Sequence, residues 1–523
     1  MFHARVERAA AAPIVRGSAD HPAWWQSRVA ALVLILAAAI PLLLPATLPL
    51  VDLPGHMGRY RIELDVAHSP ELQRYFSFHW TIIGNMGGDV LVYPLAKLFG
   101  LEFAVRLIVT AIPPLTVAGF LAVARQVHGR VPATALLALP LAYSQPFNWG
   151  FVNYTLSMAL AFLAFAWWLR LGAQQRFRLR SVVFIPLCAA LYMAHAGGWT
   201  AFCVMAFAGE LVRHHKAGST WLEALIASAR QCLVFMLPVA MMVIWHDNGI
   251  RTTFHDWFGV EVKLFWMLTM FRYNSQAFDT ACALLTFGTL GLLVLRLRRS
   301  FSPELALGAV LLFGMFLFLP WRVFGSAFAD MRLVPYAVAL ALLGPKLPDE
   351  KGRAAREIAL AGLASFAVIL AARTVAFANA GAEQGRELEA VLHIPKGADV
   401  TALAKDDCTE HWNIPINAHL GSYAIIRRHA FSNDQWLTSG INLLQLHDRT
   451  HGGFAQDPSE MVTATSCPIV RYATRVGPTI AAVTRGPSDY LWLIDIQPDD
   501  TGVLKGWRQV WHYEDSALYR REA

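Results

Sequence analysis

The chain is short of charge. Only 15% of its 523 residues are Asp, Glu, Lys or Arg, against roughly a quarter in an ordinary soluble domain. A water-soluble body of this length would need far more charge, so a string of soluble domains is excluded. Cysteine is scarce too: there are six, with no paired CxxC and no HExxH, so no common zinc framework is written in the spacing. No internal repeat is visible, which removes one signature of secondary transporters.

What is abundant is apolar sequence, 56% of the chain, gathered in blocks. A bilayer core needs about 20 apolar residues per helix. The run "VAALVLILAAAIPLLLPATLPLV" (Val29–Val51) meets that length and has a poor cleavage flank, so it reads as a retained anchor. Comparable runs predict spans at 29–50, 104–124, 131–145, 152–170, 181–195, 198–212, 231–245, 278–295, 304–320, 333–345 and 357–377. The expected fold is therefore mainly α, a polytopic membrane protein of about 11 transmembrane helices.

The formal charge of +7 is not a nucleic-acid signature, because its distribution explains it. Basic clusters fall on every second loop: Arg5 to Arg28, Arg125 and Arg130, Arg170 to Arg180, Arg213 to Arg230, Arg296 to Arg299, and Lys346 to Arg356. The positive-inside rule places residues 1–28 and those loops in the cytoplasm. It puts the long first loop (51–103) and everything after about residue 378 outside. Alanine-rich spans and a preference for arginine over lysine suggest a bacterium, hence an inner membrane and a periplasmic tail.

The tail, 379–523, has another composition. "GRELEAVLHIP" predicts a helix ending at a proline; "DVTAL", "YAIIRR", "YLWLIDI" and "QVWHYEDSALYRR" predict strands. A small extracytoplasmic α/β domain follows. Four cysteines lie in spans as apolar filler; Cys408 and Cys467 both lie in the tail, where an oxidising compartment would let them pair. That bond would contribute on the order of 4 kcal/mol in the chain-entropy model.

The predicted outer loops differ from the inner ones. "SQPFNWGFVNY", "MAHAGGW", "HDNGIRTTFHDWFGVEVKLFW" and "PWRVFGSAFADMR" mix Asp, His, Asn, Trp and Arg, which points to a site built on one face. The first outer loop opens "LPLVDLPGHMGRYRIELD", with Asp52 directly after the apolar run. His56, Arg59 and Glu63 share helical spacing and predict an amphipathic helix lying on the membrane. Taken alone, such a helix needs no chemistry.

Downstream comes "GGDVLVYPLAKLFGLEFAVRLIVTAIPPL" (Gly87–Leu115). An acid just past the first span, a proline-bearing helix, "LFG" and an arginine opening a span together resemble the GT-C superfamily of polytopic, polyprenyl-phosphate-sugar-dependent glycosyltransferases. The resemblance covers the first 130 residues best, and the general plan of spans followed by an outer domain covers the rest. It implies that Asp52 is the general base on an acceptor hydroxyl. An incoming oxygen must lose its proton as it attacks the anomeric carbon, and a carboxylate in reach supplies about 10²–10⁴-fold. The leaving lipid phosphate needs cations or hydrogen bonds. Arg332 is the first candidate, with Arg251, Arg272, Lys263 and Arg322 behind it. His56, Arg59, Asn148, Asn153, His195 and Asp330 complete the expected substrate-binding set. Each also fits a plainer role: a packed histidine, an interfacial belt, or an arginine snorkelling to water.

One departure from the pattern concerns metal. Many relatives carry a second acid beside the first, whereas Asp52 is followed by Leu53, and Asp65 and Asp89 come later. No metal ligand is assigned and no cofactor is fixed; a divalent ion, helped by His56 or His79, is left open. The expected partners are a polyprenyl-phosphate sugar, membrane lipid, and a glycan, lipid or protein acceptor, without nucleic acid. The rival readings are a transporter or flippase of a lipid-linked sugar, for which Glu210 and Arg373 are the in-span charges to watch, and a non-catalytic envelope-polysaccharide assembly protein.

Overall fold

The computed structural model describes residues 22–244, 259–323, 326–406, 412–437, 442–447, 450–464, 474–497 and 501–522. It is mainly α with a C-terminal α/β domain, the class that the apolar blocks and the tail imply. Among the described residues, five helices are long and apolar enough to cross a membrane: Leu101–His128, Val152–Ala173, Phe177–Ala194, Gln276–Ser300 and Arg353–His393. A sixth forms if Trp221–Phe235 and Leu237–Ile244 are one span, bent by 52° beside Pro238. Arg28–Leu42, Pro303–Phe318 and Met331–Leu343 are shorter apolar helices. Val29, Leu285, Leu295, Val310 and Val375 stand exposed on the outer faces of this body, which suits lipid tails and not water.

Proline explains where the predicted spans shorten. The Val29–Val51 run stays α-helical only to Ala37, tightens into a 3-10 turn at Ile40–Leu42 and then leaves the helix, with Pro41, Pro45 and Pro49 in its second half. The 131–145 run forms a buried 3-10 segment, Ala133–Tyr143, around Pro140. Its 11 residues are packed against Arg353–Glu387. Residues 181–212 divide into Phe177–Ala194 and Ala196–Lys216, with His195 extended between them at φ −168°. The two in-span charges are both committed. Glu210 accepts from Arg180 (2.6 Å), Trp168 (2.9 Å) and Arg213 (2.9 Å). Arg373 pairs with Asp279 at 2.8 Å, both fully buried.

The tail is built on a sheet. Its strands are β2 (Asp399–Lys405), β3 (Phe431–Ser432), β5 (Met461–Thr463), β6 (Thr474–Arg475), β7 (Tyr490–Ile494), β8 (Trp507–Tyr513) and β9 (Ser516–Arg521), ordered β6-β5-β2-β7-β9-β8 with β3 also paired to β2. The predicted strands "DVTAL" and "YLWLIDI" become β2 and β7, buried and mutually parallel. "QVWHYEDSALYRR" is two antiparallel strands, β8 and β9, turning at Glu514. "YAIIRR" is not a strand: Ser422–Arg428 is a helix. Its β-branched pair, Ile425 and Ile426, is buried, and Ile426 O accepts from Arg61 Nε in the first loop (3.0 Å), so packing overrides strand propensity. Cys408, Cys467 and Arg251 lie outside the described residues.

The first loop and the tail are stitched together. Strand β1 (Phe76–Phe78) of the loop pairs antiparallel with β4 (Leu444–Leu446) of the tail, and Arg427 bridges to Glu102 at 2.9 Å. The tail thus forms one wall of whatever lies above the helical body.

Candidate active site

The site begins with how Asp52 is held. Helix Leu53–Asp65 starts immediately after it, with Pro54 in the first turn, where a fixed φ and a missing N–H cost nothing. Asp52 N donates to Trp149 O (3.0 Å) across a turn at Gly150, whose φ is +79°. A side chain on Gly150 would put its Cβ 2.9 Å from Asp52 N, so only glycine allows this approach. The acid is thereby tied to the "NWG" turn of a loop a hundred residues away in the sequence.

The Leu53–Asp65 helix does not lie on a membrane surface, contrary to its amphipathic pattern. Ten of its 13 residues, from Leu53 through Glu63, are buried. Its polar face meets protein groups in place of water. Arg59 donates to Asp89 Oδ2 and to Asn442 Oδ1, each at 2.8 Å. Gly55 touches Trp436 so closely that a Cβ there would come within 2.7 Å of the ring. The helix with an exposed apolar face is the next long one, Gly87–Phe99, where Leu98 and Phe99 project outward while Asp89 turns in to Arg59.

Above Asp52 lies a cavity of about 520 Å³, within the size range of small-molecule sites. Its walls bring together Asp52, His56, Arg59, Asn153, His195 and Arg332, six of the residues singled out in the sequence. Arg332 stacks on Phe151, its guanidinium carbon 3.9 Å from the ring centroid. It donates to Ala327 O (3.0 Å) and lies 3.5 Å from His195 Nε2. Its Nε has no partner among the described residues. Asn153 is fixed by Gly88 N (2.6 Å) and by Asn85 (3.0 Å). Arg322, a secondary candidate, also lines the cavity.

Other expected residues sit elsewhere. Asn148 is buried and donates to Tyr143 O and Arg272 O. Arg272 donates to Trp412 O (2.7 Å) and Asn413 O (3.2 Å). Asp330 pairs with Lys263 at 2.7 Å, and that lysine also bonds two carbonyls at the end of a helix. None of the four lines the cavity; each ties segments of the framework. His79 likewise does not line it.

The electrostatics single out Asp52. Burial pushes its carboxyl up to about 6; His419 and Arg332 pull it down and Asp457 pushes it up. A base with that value is ionised near neutrality yet still basic enough to take a proton. His56 is held well below its usual range by burial and then by Arg59, so it stays a neutral imidazole. Glu63 is raised to about 9 by burial, with Asp89 adding to the effect, so it is a neutral acid behind the wall.

The opposite wall comes from the tail: Pro415, Ala418, His419, Trp436, Asp457, Pro458, Glu460 and Met461. Trp436 lies between two imidazoles, its ring 5.1 Å from His56 and 4.7 Å from His419. His419 Nε2 is 3.9 Å from Asp52 Oδ1 and 3.9 Å from Asp457 Oδ1. Sequence reading missed this wall because its members sit in loops between short strands, far from Asp52 and in no known spacing. The one hint was "DPSE", Asp457 to Glu460, two acids three residues apart.

No family model and no curated protein matches the chain. Solved structures are similar to it, two of them of one protein. ArnT from Cupriavidus metallidurans in the apo state has 13% identity and a TM-score of 0.48, over 94% of this chain and 96% of that one. The same protein bound to undecaprenyl phosphate has 12% identity and a TM-score of 0.45 over the same shares.

Proposed function

We propose that the protein is an integral membrane glycosyltransferase that moves a sugar from a polyprenyl-phosphate donor to an extracytoplasmic acceptor, with Asp52 as general base. The reading rests on one observation: a carboxylate of raised basicity lines a cavity of about 520 Å³ together with an arginine whose charge acts on it. The sequence resemblance supplies the reaction class, and the cavity supplies a place for it. The acceptor hydroxyl lies against Asp52 and gives up its proton as its oxygen attacks the anomeric carbon with inversion. Electrons of the breaking bond pass to the lipid phosphate, which meets Arg332 and Arg322. Trp149 and Trp436 line the cavity and give a sugar ring aromatic wall to rest against. In this reading the N-terminus is cytoplasmic, the 379–523 domain is periplasmic, and the cavity opens on the periplasmic side of a bacterial inner membrane.

The paired state of Glu210 and Arg373 supports transfer over transport, since a carrier's in-span charges serve the moving solute. The test is a panel of polyprenyl-phosphate sugars offered to purified wild type and to Asp52→Asn. Transfer should drop 10²–10⁴-fold in the variant while donor affinity changes less than threefold. Undiminished transfer removes Asp52 from the mechanism. Sugar flux across vesicles without transfer replaces the enzyme with a carrier.

A further inference from the structure

We propose that the tail domain holds a divalent cation at His419, Asp457 and Glu460, on the cavity wall facing Asp52. The three side chains offer one imidazole nitrogen and two carboxylate oxygens, all within 4.8 Å of one another. A tetrahedral zinc centre sets such atoms about 3.4 Å apart, so small side-chain rotations bring them to ligating distance. The inference goes beyond glycosyl transfer and does not depend on it.

The independent observation is Glu460. It is 0% exposed, and among the described residues neither carboxylate oxygen accepts from an N–H or hydroxyl donor; the side chain bonded to it is Asp457, another acid. A buried carboxylate left in that state is costly unless a cation or a proton compensates it. The charges that act on it most are those of Asp457 and Asp434, two further acids, and no Lys or Arg is among them. Several buried acids of the helical body have a cation instead, as Asp89 has Arg59, Asp330 has Lys263 and Asp279 has Arg373, while Glu63 is kept protonated.

His419 is oriented for ligation. Its Nδ1 donates to Asp434 O (3.2 Å), which leaves Nε2 turned toward Asp52 and Asp457. A backbone carbonyl on the far nitrogen is a common way to fix a ligating histidine. One imidazole with two carboxylates suits Zn²⁺ or Mn²⁺ better than Ca²⁺, which prefers an all-oxygen shell. Asp52 Oδ1 lies 3.9 Å from the His419 Nε2 of this group.

The alternative to a metal is a proton shared between Asp457 and Glu460, and the two differ measurably. Full-length protein in detergent, freed of any polyhistidine tag, is stripped with chelator and titrated with Zn²⁺ and, separately, Mn²⁺. Bound metal is counted by mass spectrometry and stability is followed by thermal unfolding. The expected result is one ion per chain and a higher Tm in wild type. Glu460→Gln and His419→Gln should each weaken binding tenfold or more, with metal-free Tm values no more than a few degrees from wild type. The proposal is overturned if wild type retains no ion, or if either folded variant binds as tightly as wild type.

Discussion

The helical body and the tail wall of the cavity use buried charge in opposite ways. On the helical-body side nearly every buried ion is answered: Arg59 by Asp89, Lys263 by Asp330, Arg373 by Asp279, Arg180 by Glu210. On the tail side Asp434, Asp457 and Glu460 crowd together, and among the described residues His419 is the basic side chain that acts on or lies beside them. Answered charges fix geometry, because breaking a buried pair strands its partner. Unanswered ones are available to ligands, protons or metals. Asp52 stands between the two walls: burial raises its basicity, His419 of the tail and Arg332 of the body lower it, and Asp457 of the tail raises it.

The comparison breaks most visibly if a framework pair turns out to be dispensable. Asp89→Ala should cost about 3–5 kcal/mol, because Arg59 then stays buried without its partner. It would show as a much lower apparent Tm and poor recovery from the membrane. Loss of activity with unchanged Tm would mean that Arg59 and Asp89 act in chemistry and not in holding the loop.

A smaller effect probes the seam between the walls. Gly55→Ala places a Cβ against the Trp436 ring and should cost about 1–3 kcal/mol, with Trp fluorescence shifting as the ring moves. An unchanged emission spectrum and Tm would show that the tail yields easily, and that the two walls are less rigidly apposed than their contacts imply.

The smallest effect is a pH limb. Asp52 works as a base only when ionised, so turnover should rise with a midpoint near pH 6 and be about tenfold below its plateau at pH 5. The stability contribution has the opposite sign. A raised carboxyl favours the folded state while protonated, and that advantage is lost as pH rises from about 4 through 6. In Asp52→Asn that stability slope should be absent. A rate that stays flat between pH 5 and 7 would remove Asp52 as the titrating group.

Asp52, Asn153, His195 and Arg332 were legible in the sequence because each sits at the edge of an apolar run, and His56 and Arg59 because they share helical spacing just after Asp52; the cavity brings all six together. Asn148, Arg272 and Asp330 share that address but are spent on local bonds, a distinction that only neighbours reveal. His419, Trp436, Asp457 and Glu460 had no such address. Their relation to Asp52 exists only once the tail folds against the first loop.

Read without contacts, the residues already specify a membrane body, a small sheet domain after it and an acid directly behind the first apolar run. Those follow from hydrophobic run length and from residue types, which act locally and survive without knowledge of contacts. Tertiary structure alone decided that the Leu53–Asp65 helix is buried and that "YAIIRR" is helical. It also decided that a histidine and two acids from the tail face Asp52. Each of those depends on which distant surface covers a segment, and burial against a particular neighbour outweighs periodicity and propensity.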